Sequence, residues 1–172
     1  KEKHPGIYFE DCAISGEEMV NIIKEKDFSR LPASMANAAQ EAYETLLHTR
    51  DGQLCDVIID KATLEAIYQA GKEAKADIIR NYAEDTVAVA NIKIAVRSQK
   101  TAKSMEFMKR AMVECESLSI DQLAKAALNS MDAICEYLSG TAYAEGAKAL
   151  ADSASAFERW CDNRIIHTIQ PQ

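Results

Sequence analysis

The sequence predicts an all-α fold, and three observations carry that prediction. The chain holds only 6 glycines and 3 prolines in 172 residues, too few for a turn-rich β-sandwich. Apolar residues recur at helical spacing along most of its length. Serine stands repeatedly just ahead of an apolar run, where its side-chain oxygen can accept from an orphan helix N–H. Hydrophobic residues make up 48% of the chain, enough to bury a core and to exclude a disordered tail.

Ser15-Gly16-Glu17-Glu18 reads as a capping box that opens a helix with Met19, Ile22 and Ile23 on one stripe, ending around Lys26. Pro32, tolerated in a first turn, begins a second helix running to Thr49 with Met35, Ala38, Ala39, Ala42, Tyr43 and Leu46 at helical spacing. Thr49-Arg50-Asp51-Gly52 breaks it, and Asp51 can cap a third helix that carries Leu54, Val57, Ile58, Ala62, Leu64, Ile67 and Tyr68. Gly71 weakens that helix. From Ala74 to Lys103 there is neither Pro nor Gly, and one helix over the whole stretch would span roughly 45 Å at the standard rise. Within it, residues 86–96 (TVAVANIKIAV) alternate like a strand and are rich in β-branched residues. Helical neighbours on both sides and the lack of turn signals favour helix.

Shorter helices follow. Ser104 can cap Met105 to Val113, with Met105, Met108 and Met112 on one face. Ser119 with Gln122 forms a second capping box opening Ile120 to Leu128. Ser130 precedes Met131 to Leu138, which Gly140 stops, and a short helix covers Tyr143 to Leu150. The last helix, Ser153 to Ile169, carries Phe157, Trp160, Cys161, Ile165 and Ile166 and closes at Pro171. Phe157 and Trp160 read as core.

Several functions are excluded at this level. The net charge of −7 argues against a duplex nucleic-acid binder, which needs a dense basic face. No run approaches the 18 or so apolar residues of a membrane span. The cysteines (Cys12, Cys55, Cys115, Cys135, Cys161) are odd in number and lack a C-x-x-C pair, the pattern of free thiols in a reducing cytoplasm. His4, His48 and His167 form no Glu-x-x-His motif, and there is no nucleophile elbow, P-loop or dinucleotide fingerprint. Asp56 and Asp60 read as a wet helix face or as ion-pair partners for Lys61 or Lys93. No catalytic residue, cofactor or metal ligand is expected.

The charge is uneven. Residues 93–110 carry Lys93, Arg97, Lys100, Lys103, Lys109 and Arg110 against Glu106 alone, a local +5 in an acidic chain. Lys93, Arg97 and Lys100 share one helical face, either solvated or a docking surface for an acidic protein partner. There is also an internal echo. Ile14-Ser15-x-x-Glu18-Met19 corresponds to Leu118-Ser119-x-x-Gln122-Leu123, and Cys55-Asp56 to Cys161-Asp162. The echo suggests a duplicated helical unit, with 1–111 one repeat with long central helices and 112–172 the start of a second. The opening KEKHPG, without Met or an apolar signal region, and the early stop of the second copy fit a piece of a longer chain.

The run from Tyr82 to Arg97, ending in Asn91-Ile92-Lys93 and then Arg97, resembles the N-I-K-x-x-x-R segment of the C-subunit family of V-type (A-type) ATPases and ATP synthases, related to the eukaryotic V-ATPase d-subunit. Leu31-Pro32, Ala38 to Tyr43, and Asp56 to Ala62 (DVIIDKA) are similar to that family's L-P…A…A and D-x-x-L-D-K-A text. Phe157-Glu158-Arg159 with Asp162-Asn163 resembles its F-E-x-x-x-D-N helix. Two positions depart. Ala88 stands where the family has an Asp, removing a buried partner for a nearby Arg or Lys, and Cys115-Glu116 stands where it often has a Gly pair.

The resemblance implies part of a larger protein, a funnel-like or elongated array of helical-bundle repeats with no catalytic site and no cofactor. It implies a place in the rotor, between the central D–F shaft and the membrane rotor ring. There it would couple ATP hydrolysis or synthesis to proton or sodium transport, as a peripheral component on the cytoplasmic side. Lys93, Arg97 and Lys100 are then the candidate contacts for the shaft. The alternative is a helical scaffold or adaptor binding an acidic protein partner.

Overall fold

The computed structural model describes residues 12–170; His4 and the helix stop read at Pro171 lie outside them. Among the described residues there are nine α-helices, one 3₁₀ turn and no strand. The helices are α1 (Gly16–Glu25), α2 (Ala33–Thr49), α3 (Gly52–Glu73), α4 (Asp77–Lys100), α5 (Met105–Ala111), α6 (Ile120–Asn129), α7 (Met131–Ser139), α8 (Ala144–Asp152) and α9 (Ala154–Ile169). The ambiguous stretch 86–96 lies wholly inside α4. Its β-branched residues cost a few tenths of a kcal/mol each in helix propensity, which burial of Val87, Val89, Ile92 and Val96 outweighs at about 1.5–3 kcal/mol each.

The serine caps form. Ser15, Ser104, Ser119, Ser130 and Ser153 each accept from the backbone N–H three residues on. Asp51 does the same for Leu54 at 3.1 Å. Each cap stabilises by about 1 kcal/mol, which matters for helices of seven to ten residues that are marginal alone. Ser130 and Ser153 also end α6 and α8, so one extended residue turns the chain between consecutive helices. Glu18 does not return its side chain to the cap as a reciprocal box would; it pairs with Arg30 at 3.3 Å.

The chain forms two compact units, residues 1–59 and 60–172. In the first, the 3₁₀ turn Phe28–Arg30 packs against both α1 and α2. Ile22, Ala38, Ala42 and Ile58 are buried there. Phe28 meets Tyr43 at 5.9 Å between ring centroids, and the Lys26 ammonium lies over the same Tyr43 ring. Arg30 ties the turn back to α1 through Glu18 and Glu25.

In the second unit α4 is central, packed by α5, α6, α7 and α9, while α7 joins α6 to α8 and α8 packs on α9. The core is Val89, Ile92 and Val96 of α4 with Met108, Met112, Leu118, Leu123, Ile134, Leu138, Tyr143, Leu150, Phe157 and Cys161. Gly71 lies inside α3. It is buried, and a Cβ there would stand 2.2 Å from that of Ala83, so the glycine is what lets α3 lie close to α4. The predicted helix to Val113 stops at Ala111, because Asn91 takes both the N–H and the C=O of Val113 and holds it extended.

Gly146 sets the spacing of α8 on α9. An added Cβ would come within 2.6 Å of the Trp160 ring, which is braced by Phe157 (centroids 6.1 Å, stacked) and Tyr143 (6.3 Å, edge-on). Gly146→Ala is therefore expected to destabilise by about 1–3 kcal/mol despite alanine's better helix propensity, read as a lower urea midpoint.

Candidate functional site

Asp85, Ala88, Val89, Ile92 and Val96 lie on one stripe of α4, and all five are buried. On α9 the stripe is Phe157, Cys161, Arg164 and Thr168. The two helices meet antiparallel, apolar against apolar in the middle and polar against polar at one end. There Arg164 donates twice to the Asp85 carboxylate, from Nε to Oδ2 and from an Nη to Oδ1, both at 3.0 Å. Thr168 donates to Asp85 Oδ2 at 2.5 Å and Tyr143 to Oδ1 at 3.0 Å. The Arg164 guanidinium also stacks over the Tyr143 ring, 5.1 Å from its centroid. Asp85 is 6% exposed, so its charge is tolerated only because four donor contacts surround it.

One residue earlier, Glu84 reaches the connection between α5 and α6. It accepts from the backbone N–H groups of Ser117 and Glu116 and from the Ser117 hydroxyl. Tyr68 of α3 also hydrogen-bonds Glu84; burial first, then the Glu84 and Glu116 charges, push that phenol up to about 12. Asn91, fully buried, clamps the same connection at Val113, with its amide accepting at 3.0 Å and donating at 2.7 Å.

The three basic residues singled out in the sequence do not act alike. Lys93 faces α9, where its ammonium pairs with Glu158 at 3.0 Å and Asp162 at 3.9 Å. Burial alone would lower its pKa, but the hydrogen bond and charge of Glu158, with Asp162, hold it raised. The Lys of N-I-K and the acids of F-E-x-x-x-D-N are thus brought together. Arg97 and Lys100 are exposed in the last turn of α4, where cations also suit the helix dipole. Lys61 pairs with Glu65 on its own helix, 3.9 Å away, rather than with Asp56 or Asp60.

Sequence reasoning passed over Asp85, Glu84, Tyr143, Arg164 and Thr168. The signal was the position of Asp85, an acid in register with Val89, Ile92 and Val96 on a stripe that must be buried. Ala88, three residues before Asn91, is apolar, and the buried acid that holds Arg164 stands three residues earlier still, at Asp85. All five cysteines are free thiols. No helix among the described residues is long and apolar enough to cross a membrane.

The family model for the ATP synthase (C/AC39) subunit matches residues 4–172 of the chain. No match is found among curated proteins or among solved structures.

Two outcomes follow from the geometry. Arg164→Ala leaves the Asp85 carboxylate with two donors, and since the arginine side chain is 35% exposed the loss is expected to be about 2 kcal/mol, read by chemical denaturation. Cys161 is buried, which pushes its thiol up to about 12 although the Lys93 charge pulls it partly back. At pH 8.5 that thiol stays protonated, so iodoacetamide is expected to alkylate exposed Cys12 and to spare Cys161 until the chain unfolds, as peptide mass spectrometry would show.

Proposed function

Because the chain belongs to the ATP synthase (C/AC39) subunit family, part of the rotary V/A-type ATPases, we propose that it is a non-catalytic coupling element of the central stalk. In this reading it sits between the D–F shaft and the membrane rotor ring, on the cytoplasmic side, and carries torque between ATP turnover and proton or sodium movement. The observation that carries the proposal is the family match over residues 4–172. The physical character of the second unit supports it. A torque-bearing part needs stiffness, and α4, 24 residues long, is enclosed by four other helices and cross-tied by ion pairs to α9.

Two surfaces suit assembly. Arg97 and Lys100 present positive charge at the C-terminal end of α4 within the locally basic segment. Ile78, Ile79, Tyr82 and Ile169 line a shallow apolar hollow in the second unit, of about 330 Å3, the kind of surface that becomes covered on assembly. The division into repeats, 1–111 and 112–172, belongs to the same proposal. It is supported by the corresponding Ser15 and Ser119 caps and by the Cys-Asp pairs on α3 and α9.

Of the basic triad, Arg97 and Lys100 are the residues to test, because reversing Lys93 would break its ties to Glu158 and Asp162. Arg97→Glu with Lys100→Glu is expected to slow association with an isolated D–F shaft complex by tenfold or more at low salt, with the difference shrinking as salt rises. Unchanged association at low salt, with the wild-type chain binding, would remove this face from the interface. A wild-type chain that does not bind the shaft would remove the shaft-facing role.

A further inference from the structure

Two consecutive carboxylates on α4 hold two different pieces of the second unit. Glu84 fixes the α5–α6 connection through the backbone N–H of Ser117 at 2.8 Å, that of Glu116 at 3.3 Å and the Ser117 hydroxyl at 2.5 Å. Asp85 fixes α9 through Arg164 and Thr168. Between the two clasps stand two hydroxyl oxygens, Ser117 Oγ and Tyr143 Oη, 2.9 Å apart. Tyr143 Oη is also 3.0 Å from Asp85 Oδ1.

The oxygens make three contacts, but the hydroxyls bring only two protons. A hydroxyl donates once and can accept twice. The Ser117 proton goes to Glu84, the shorter contact and a charged acceptor. The phenolic proton of Tyr143 is then the only donor left for two acceptors at nearly equal distance, Ser117 Oγ and Asp85 Oδ1. Tyr143 is 1% exposed, so its hydroxyl is closed to water, while Ser117 is half-buried. Burial raises its pKa above the ordinary phenol value, against the opposing effect of the Ser117 hydrogen bond, and the Asp85 and Glu84 charges add to the rise, which keeps that proton on the oxygen.

We propose that Tyr143 is a selector whose single proton either extends the Glu84 clasp through Ser117 or completes the Asp85 clasp on α9, but not both at once. The α5–α6 connection and α9 therefore compete for one donor, and whichever contact is stretched yields the proton to the other. The unit gains a two-position joint without a hinge in its backbone. The joint follows from hydrogen-bond geometry alone and is independent of the assembly the chain enters. The opposite arrangement, with Ser117 donating to Tyr143 and Tyr143 to Asp85, would be a cooperative chain in which the clasps reinforce each other. The two differ in sign.

Hydrogen exchange with mass spectrometry on the full chain reads that sign. Ser117→Ala removes the competitor of Asp85 and is expected to slow exchange at amides 165–169 of α9 on the order of fivefold, while exchange near residue 117 quickens. In a Tyr143→Phe background the same substitution is expected to leave 165–169 unchanged. Thr168→Val, nearly isosteric, gives the reciprocal reading. It leaves Asp85 short of a donor, draws the Tyr143 proton there and quickens exchange at Glu116 and Ser117, again only with Tyr143 present. Slower exchange at 165–169 in Ser117→Ala supports the selector. Unchanged or faster exchange there overturns it, as does a Thr168→Val chain with exchange at 116–117 unaltered, so either variant decides the matter if the other fails to fold.

Discussion

The second compact unit depends on the enclosure of α4. A helix packed by four others can leave few polar groups near water, and three of its side chains, Asp85, Asn91 and Ser98, are buried. Each such group would cost a kcal/mol or more if it lost its water without gaining a partner. No buried side-chain nitrogen or oxygen among the described residues is left without one. That requirement decides where the surrounding segments go. Asn91 fixes the α5–α6 connection at Val113, Asp85 fixes α9 at Arg164, and Lys93 binds α9 again about two turns away.

The same constraint separates the charged residues by role. A cation on the side of α4 that faces α9 is matched by acids there, and Lys93 finds Glu158 and Asp162. Arg97 and Lys100, nearer the helix end, are exposed. A helical wheel of α4 places all three together, because it takes no account of which neighbour covers which sector. The N-I-K and F-E-x-x-x-D-N segments of this chain gain a physical content from this pairing: they hold the two sides of one helix–helix contact.

The short helices α5 to α8 illustrate a second economy. None is long enough to be stable alone, and serine both ends one and begins the next at Ser130 and Ser153. These corners keep α6, α7, α8 and α9 consecutive in space as in sequence. They also carry Tyr143 to the polar end of the α4–α9 contact, where its ring packs on Trp160 and its hydroxyl lies between the Ser117 hydroxyl and the Asp85 carboxylate.

By itself the sequence determined the helical fold, the caps at Ser15, Asp51, Ser104, Ser119 and Ser130, most helix limits and the family. Caps and periodicity are local, and a dozen residues state them completely. The tertiary structure decided what depended on distant neighbours. Residues 86–96 are helix because four helices bury their branched side chains, and α5 stops at Ala111 because Asn91, more than twenty residues back, claims Val113. Arg164 finds Asp85 across 79 positions, a pairing no local pattern contains. Even there the sequence held half of the answer, since an acid in register with Val89, Ile92 and Val96 had to be buried and therefore had to be matched. Only the packing of α9 against α4 could say by what.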